Sequence, residues 1–121
     1  MQRCSEMANP VAWFEVTGPD GAVLQNFYSQ LFDWKIDAGN PMSYGMVEAS
    51  EGGIGGGVAG GPDGPHGVVF YVAVPDLQAA LDRAGQLGGE TLSPPMDVPG
   101  GPSIAFFTDP AGNRIGLMKA Q

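Results

Sequence analysis

With 121 residues, 43% of them hydrophobic and 15% charged, the chain can build one domain core and is too apolar to stay disordered. A formal net charge of −8 argues against nucleic acid and anionic membrane as partners, since both need clustered Lys and Arg. The acidic residues are spread along the chain as on a solvated surface; read functionally, they would draw a cationic small molecule.

No apolar run approaches the ~20 residues that cross a bilayer, and Met1 to Asn9 has no hydrophobic signal core, so a cytoplasmic protein is expected. Cys4, the single cysteine, lies in that stretch and has no internal disulfide partner. Val11 to Val16 has the β-branched and aromatic content of a strand. Asp20 then stands at a helix N-cap, and Val23, Leu24, Phe27, Tyr28 and Leu31 recur at helical spacing, predicting one apolar face over residues 22–32. Residues 34–36, 43–49 and 53–59 read as strands, the last rich in glycine. The tract from Gly60 to Pro65 has no periodicity and reads as a linker.

The same grammar then returns. Residues 68–74 form a strand, Asp76 a cap, and Leu77, Ala80, Leu81, Ala84 and Leu87 a helical stripe ended by Gly88-Gly89. Residues 91–92, 103–108 and 114–119 follow as strands, the last two joined by the turn Asp109-Pro-Ala-Gly-Asn113. The 56-residue step from Asp20 to Asp76 also places Phe14 on Phe70, Val16 on Val72, Pro19 on Pro75, Gln30 on Gln86 and Leu31 on Leu87. A period of this length predicts two copies of one supersecondary unit, each strand, helix, strand, strand, strand, sharing one core and one cleft.

That order, with Asp20 followed by Phe27-Tyr28 and Leu31-Phe-Asp-Trp34, and with Val74-Pro-Asp76, Gly88-Gly89 and Asp109-Pro-Ala-Gly-Asn113, resembles the vicinal oxygen chelate superfamily of glyoxalases, extradiol dioxygenases and bleomycin-binding proteins. The resemblance covers residues 10–119. It implies an α+β fold of two βαβββ modules forming a cup-shaped mixed sheet, with module one at 10–60, a linker at 60–66 and module two at 67–119 in a single domain, and a homodimer. In metal-dependent members each module supplies a His, Gln or Glu near the start of its first strand and a Glu on its last, around one divalent ion. Here those positions fall on Trp13, Val69 and Gly116, and the last strand of module one, residues 53–58, offers no ligand. A catalytic divalent ion needs about three converging protein ligands. None stands at the family positions, so no metal and no cofactor are expected.

Strand alternation puts Glu15 on the face of Trp13, Tyr71 on that of Val69, and Met118 on that of Gly116. A cup lined by Trp13, Glu15, Tyr71 and Met118 would be apolar with two polar handles, as ligand pockets commonly are. Trp13, Val69 and Met118 could equally be core filling of a cup without an ion, and Glu15 could face outward if the strand is turned. Buried, Glu15 would need a partner. His66, the only histidine, sits by the linker and reads as solvated, as do Arg114 and Lys119. No Gly-x-Ser-x-Gly elbow exists, and the glycines at 52–57 lack the ending and following helix of a phosphate loop.

Three functions fit. The first is a metal-independent small-molecule binding protein, of the kind that sequesters an antibiotic or metabolite. The second is a lyase or isomerase with Glu15 as base and Tyr71 as donor, or with an unconventional metal site. The third is a structural role, the cup being filled by its own side chains.

Overall fold

The computed structural model describes residues 8–64 and 66–120; the sequence readings at Cys4 and Pro65 lie outside them. Each copy of the repeat forms β-α-β-β-β, so the fold is α+β. In chain order the elements are β1 (Val11–Gly18), α1 (Gly21–Phe32), β2 (Ile36–Asp37), β3 (Gly45–Val47), β4 (Gly55–Gly60), β5 (Gly67–Val74), α2 (Leu77–Gln86), β6 (Glu90–Asp97), β7 (Ser103–Thr108) and β8 (Arg114–Lys119). Two compact units result, one of Trp13–Val69 and one of residues 8–12 with 70–120. Strand order is β2-β3-β4-β1 for the first copy and β5-β8-β7-β6 for the second. In both, the first strand runs parallel to the last and the other pairings are antiparallel. The identical pairing scheme shows that the sequence repeat is structural.

Each helix starts where the aspartate predicts. Asp20 Oδ1 accepts from Val23 N at 3.2 Å and Asp76 Oδ1 from Ala79 N at 3.0 Å, both caps having extended backbone. Such a cap satisfies an orphan amide and contributes about 1 kcal/mol. α2 ends at Leu87, and Gly88 follows with a φ of 105° that favours glycine.

In the second unit Leu77 and Leu81 of α2 pack on Val74, Ala105 and Leu117, with Val72, Ala80 and Phe107 around them. These strand residues share the face that the helix covers. Their alternates Tyr71, Phe106, Gly116 and Met118 therefore lie on the opposite, helix-free face.

The first unit packs differently. Phe14, Phe32 and Tyr28 surround Trp34, with ring centroids 5.2–5.7 Å from it, and a Cβ at Gly56 would overlap the Phe14 ring. Gln25 Nε2 ties α1 to the strands, donating to Ser43 O at 3.0 Å and Val58 O at 2.8 Å. Trp34 thus serves the helix-side cluster instead of opening a strand, and β2 begins at Ile36.

The single apolar face expected on α1 is split in the structure. Leu24 and Tyr28 turn toward the strands, while Val23, Phe27 and Leu31 stay 62%, 54% and 58% exposed. The reason is geometric: the stripe is too wide for one sheet to cover, and glycine-rich β4 offers few side chains to meet it. Two strands also differ in extent. β3 is only three residues because residues 40–44 form a side-chain-clamped loop. β6 runs through Pro94-Pro95, its register shifts absorbing the missing donors at the end of the strand order.

Candidate functional site

On the helix-free face of the first unit, β1 and β4 run side by side with Trp13 opposite Gly55 and Glu15 opposite Gly57. Tyr44, just before β3, lays its ring over Gly57, where a Cβ would overlap the phenol. Its hydroxyl accepts from Trp13 Nε1 at 3.0 Å and donates to Glu15 Oε2 at 2.9 Å. The direction of this chain is fixed by chemistry. An indole N–H can only donate and an ionised carboxylate can only accept, so the phenol proton must point at Glu15.

Tyr44 is held there from its backbone. Asn40 Nδ2 donates to Tyr44 O at 2.7 Å, and Tyr44 N donates to Asn40 Oδ1 at 2.9 Å. Ser43 N donates to Asn40 O at 3.0 Å, and Ser43 takes a φ of 53°, the left-handed conformation that turns the chain into β3. The Tyr44 phenol is pushed well above its ordinary value of 10. Burial is the largest cause; the Trp13 N–H opposes it, and the charge and hydrogen bond of Glu15 add to it.

Trp13 and Glu15 are therefore joined, as their alternation predicts, but through a residue that sequence reasoning missed. Nothing in the pattern around Tyr44 points at β1. The available signal was Gly57, a glycine directly beside the candidate carboxylate, which marks a close approach.

On the helix-free face of the second unit, Tyr71 stands opposite Gly116. A Cβ at Gly116 would meet the Tyr71 ring at 2.5 Å. Phe106, also opposite Gly116, packs edge-on to Tyr71 with centroids 5.5 Å apart. Met118 follows two residues on, half-buried opposite Ile104. Arg114 is not the solvated charge expected. It is half-buried, with its guanidinium carbon 4.8 Å from the Phe106 ring centroid. His66 is exposed, 3.5 Å from Gly61 O.

The two units share one device: a phenol ring covers the last-strand glycine that pairs with the repeat-equivalent position of the first strand, Tyr44 over Gly57 and Tyr71 over Gly116. Among the described residues no three His, Cys, Asp or Glu side chains are grouped as a metal would need. The side chains at the positions where the resemblance expects ligands, an indole at Trp13, an isopropyl group at Val69 and none at Gly116, are not donors that a divalent ion takes.

The family model for the Glyoxalase/Bleomycin resistance protein/Dioxygenase superfamily matches residues 11–117. The chain belongs to this superfamily. Among curated relatives, DnrV of Streptomyces peucetius, named as an anthracycline biosynthesis protein, is 34% identical over 126 residues, covering 89% of this chain and 46% of its own. CFP32 of Mycobacterium tuberculosis, named for a glyoxylase, is 28% identical over 117 residues, covering 89% and 44%. The chain thus spans about half the length of the curated relatives it matches. Solved structures with the same fold include a superfamily member from Vibrio splendidus (TM-score 0.65, 15% identity, 93% of this chain and 100% of that one). Another is a methylmalonyl-CoA epimerase of Streptomyces coelicolor (0.60, 13%, 91% and 96%). No helix among the described residues is long and apolar enough to cross a membrane.

Proposed function

We propose that this superfamily member is a metal-independent small-molecule binding protein that sequesters or carries a metabolite or antibiotic. The observation that supports it most is the directed chain Trp13 to Tyr44 to Glu15 over Gly57. It presents one charged acceptor flanked by two aromatic rings, an arrangement suited to a ligand with an apolar body and a cationic or hydrogen-bond-donating group. Trp13 and Glu15 are its ligand contacts on one unit; Tyr71 and Met118 are the candidates on the other. The likeness to DnrV, named for anthracycline biosynthesis, makes planar aromatic compounds the first class to screen.

A homodimer belongs to the same reading, with α1 as the face between copies. α1 carries no charged residue in a chain of net charge −8, so a second copy meets the least like-charge repulsion there. Val23, Phe27 and Leu31 line a shallow depression with Asn26 and Gln30. In α2, by contrast, the exposed face carries Asp82 and Arg83. Cytoplasmic residence fits a chain whose single cysteine calls for no oxidising compartment.

Native mass spectrometry of freshly purified protein reads retained ligand, metal and oligomer together. A retained or screened aromatic ligand should lose roughly ten- to hundred-fold in affinity in Glu15→Gln, the scale of a charge-assisted hydrogen bond. One tightly held divalent ion per chain, lost in Glu15→Ala, would overturn the reading. So would a compound that is turned over by wild type and bound but not converted by Glu15→Gln, which is the behaviour of a general base.

A further inference from the structure

Arg114 is the one basic side chain among the described residues seen stacked on an aromatic ring. It is half-buried at the start of β8, on the face that carries Gly116 and Met118. Thirteen acidic residues are present in the chain, yet among the described residues none forms an ion pair with Arg114. A partly desolvated guanidinium without a carboxylate is costly unless something else supplies the acceptor. The guanidinium carbon lies over the Phe106 ring, 4.8 Å from its centroid, and the N–H donors of a guanidinium all lie in its own plane, where they match the two oxygens of a carboxylate. Tyr71 packs edge to face on the same Phe106 ring at 5.5 Å and adds aromatic area, and Met118 supplies polarisable apolar area four residues along the strand on the same face.

We propose that Arg114 and Phe106, with Tyr71 beside them, form a subsite for a carboxylate attached to an aromatic or other apolar body. The in-plane N–H groups bind the two carboxylate oxygens as a fork, and the rings cover the body of the ligand. The subsite rests on the proposal that this protein binds small molecules, but it assigns a chemistry opposite to that of Glu15 and stands on residues of the other unit alone. An anion is drawn here by a local cation against the repulsion of a chain of net charge −8, so binding should strengthen as salt screens that distant charge and weaken only when salt competes for the fork.

The probe is benzoate, with benzamide as its neutral isostere and benzylamine as its cationic counterpart, followed by calorimetry and by NMR of the Arg114 side-chain N–H groups. Benzoate should bind and shift the Arg114 signals. Arg114→Ala should weaken it roughly ten- to hundred-fold, Arg114→Lys should restore only part of the affinity because ammonium lacks the fork, and benzamide should be indifferent to either change. Arg114→Gln, which keeps length and polarity, guards against a folding defect in the alanine variant. Failure of benzoate to bind, equal binding by Arg114→Ala, or equal binding of benzamide would each overturn the subsite. Glu15→Gln separates this from the broader reading. A ligand whose affinity falls in that variant while benzoate fails to bind wild type would sink the subsite and leave the binding function standing.

Discussion

The Tyr44 hydroxyl donates to Glu15 across a glycine, at 2.9 Å from Oε2, with Gly57 directly beneath the ring. The contact joins residues 29 positions apart and depends on an absent side chain. Gly57→Ala should therefore displace Tyr44. Overpacking of this kind costs about 1–3 kcal/mol, and the phenol has nowhere to move without breaking its bonds to Trp13 and Glu15. Urea denaturation should show a lower midpoint at unchanged slope, with altered Trp13 fluorescence. An alanine variant as stable as wild type, with the same emission, would show that the ring is not seated as described.

Tyr44→Phe keeps the ring and removes only the hydroxyl. Trp13 Nε1 then loses its acceptor and Glu15 one donor, so a loss of about 1–3 kcal/mol is expected for the partly buried groups left behind. Because both bonds run through one atom, Trp13→Phe and Tyr44→Phe should be strongly non-additive in a double-mutant cycle. Additive losses would mean that the chain does not act as a unit.

Alkaline titration reads the same group. Burial and Glu15 hold the Tyr44 proton above its ordinary value of 10, so the folded state binds that proton more tightly than the unfolded state does. Its contribution to stability is complete below about pH 10 and declines as pH rises further. The absorbance difference between wild type and Tyr44→Phe should contain no phenolate at about pH 10.5 and gain it only as the protein unfolds in alkali. A phenolate transition near the ordinary value would place Tyr44 in solvent.

Asp109 gives the acid-side counterpart. Its carboxylate accepts from Asn113 Nδ2, Asn113 N and Ala111 N, each at 2.9 Å, and closes the turn between β7 and β8. The side-chain and backbone hydrogen bonds of Asn113 are the main reason its pKa lies below the ordinary carboxylate value. The stabilisation is present above the unfolded value of about 4 and is lost as pH falls through the lower folded one. Asp109→Asn should flatten the acid limb of the stability–pH curve; an unchanged limb would deny the turn any part in it.

The order of elements was readable because it rests on local chemistry. Asp20 and Asp76 announce their helices, Gly88 ends one, and the Asp109 turn is written in consecutive residues. Strand alternation also placed Trp13 with Glu15, which the structure shows joined through Tyr44. Tyr44 itself was not readable, since its place depends on the Asn40 clamp and on the space over Gly57, neither of which has a periodic signature. Arg114 was misread as solvated because the ring beneath it, Phe106, comes from a different strand. The outward stripe of α1 was misread for a related reason: helical spacing defines a face but not which part of it the sheet can reach.

That stripe carries the last prediction. Under the 56-residue repeat, Phe27 stands where the second copy has Arg83, an exposed residue that donates to Gln86 on the surface of α2 at 3.1 Å. The fold therefore accepts arginine at the equivalent helical position, and Phe27→Arg should leave the monomer folded. If two copies meet through Val23, Phe27 and Leu31, the same change buries a guanidinium facing its own counterpart about the two-fold axis. Desolvation and like-charge repulsion then act together, and dissociation should become easier by roughly a hundred-fold or more. Analytical ultracentrifugation over a concentration series should show wild type as a dimer and Phe27→Arg as a monomer, with unchanged circular dichroism. High salt should not restore the dimer fully, because screening relieves the repulsion but not the desolvation. A wild type that stays monomeric throughout, or a variant that dimerises as wild type does, would remove α1 from the interface.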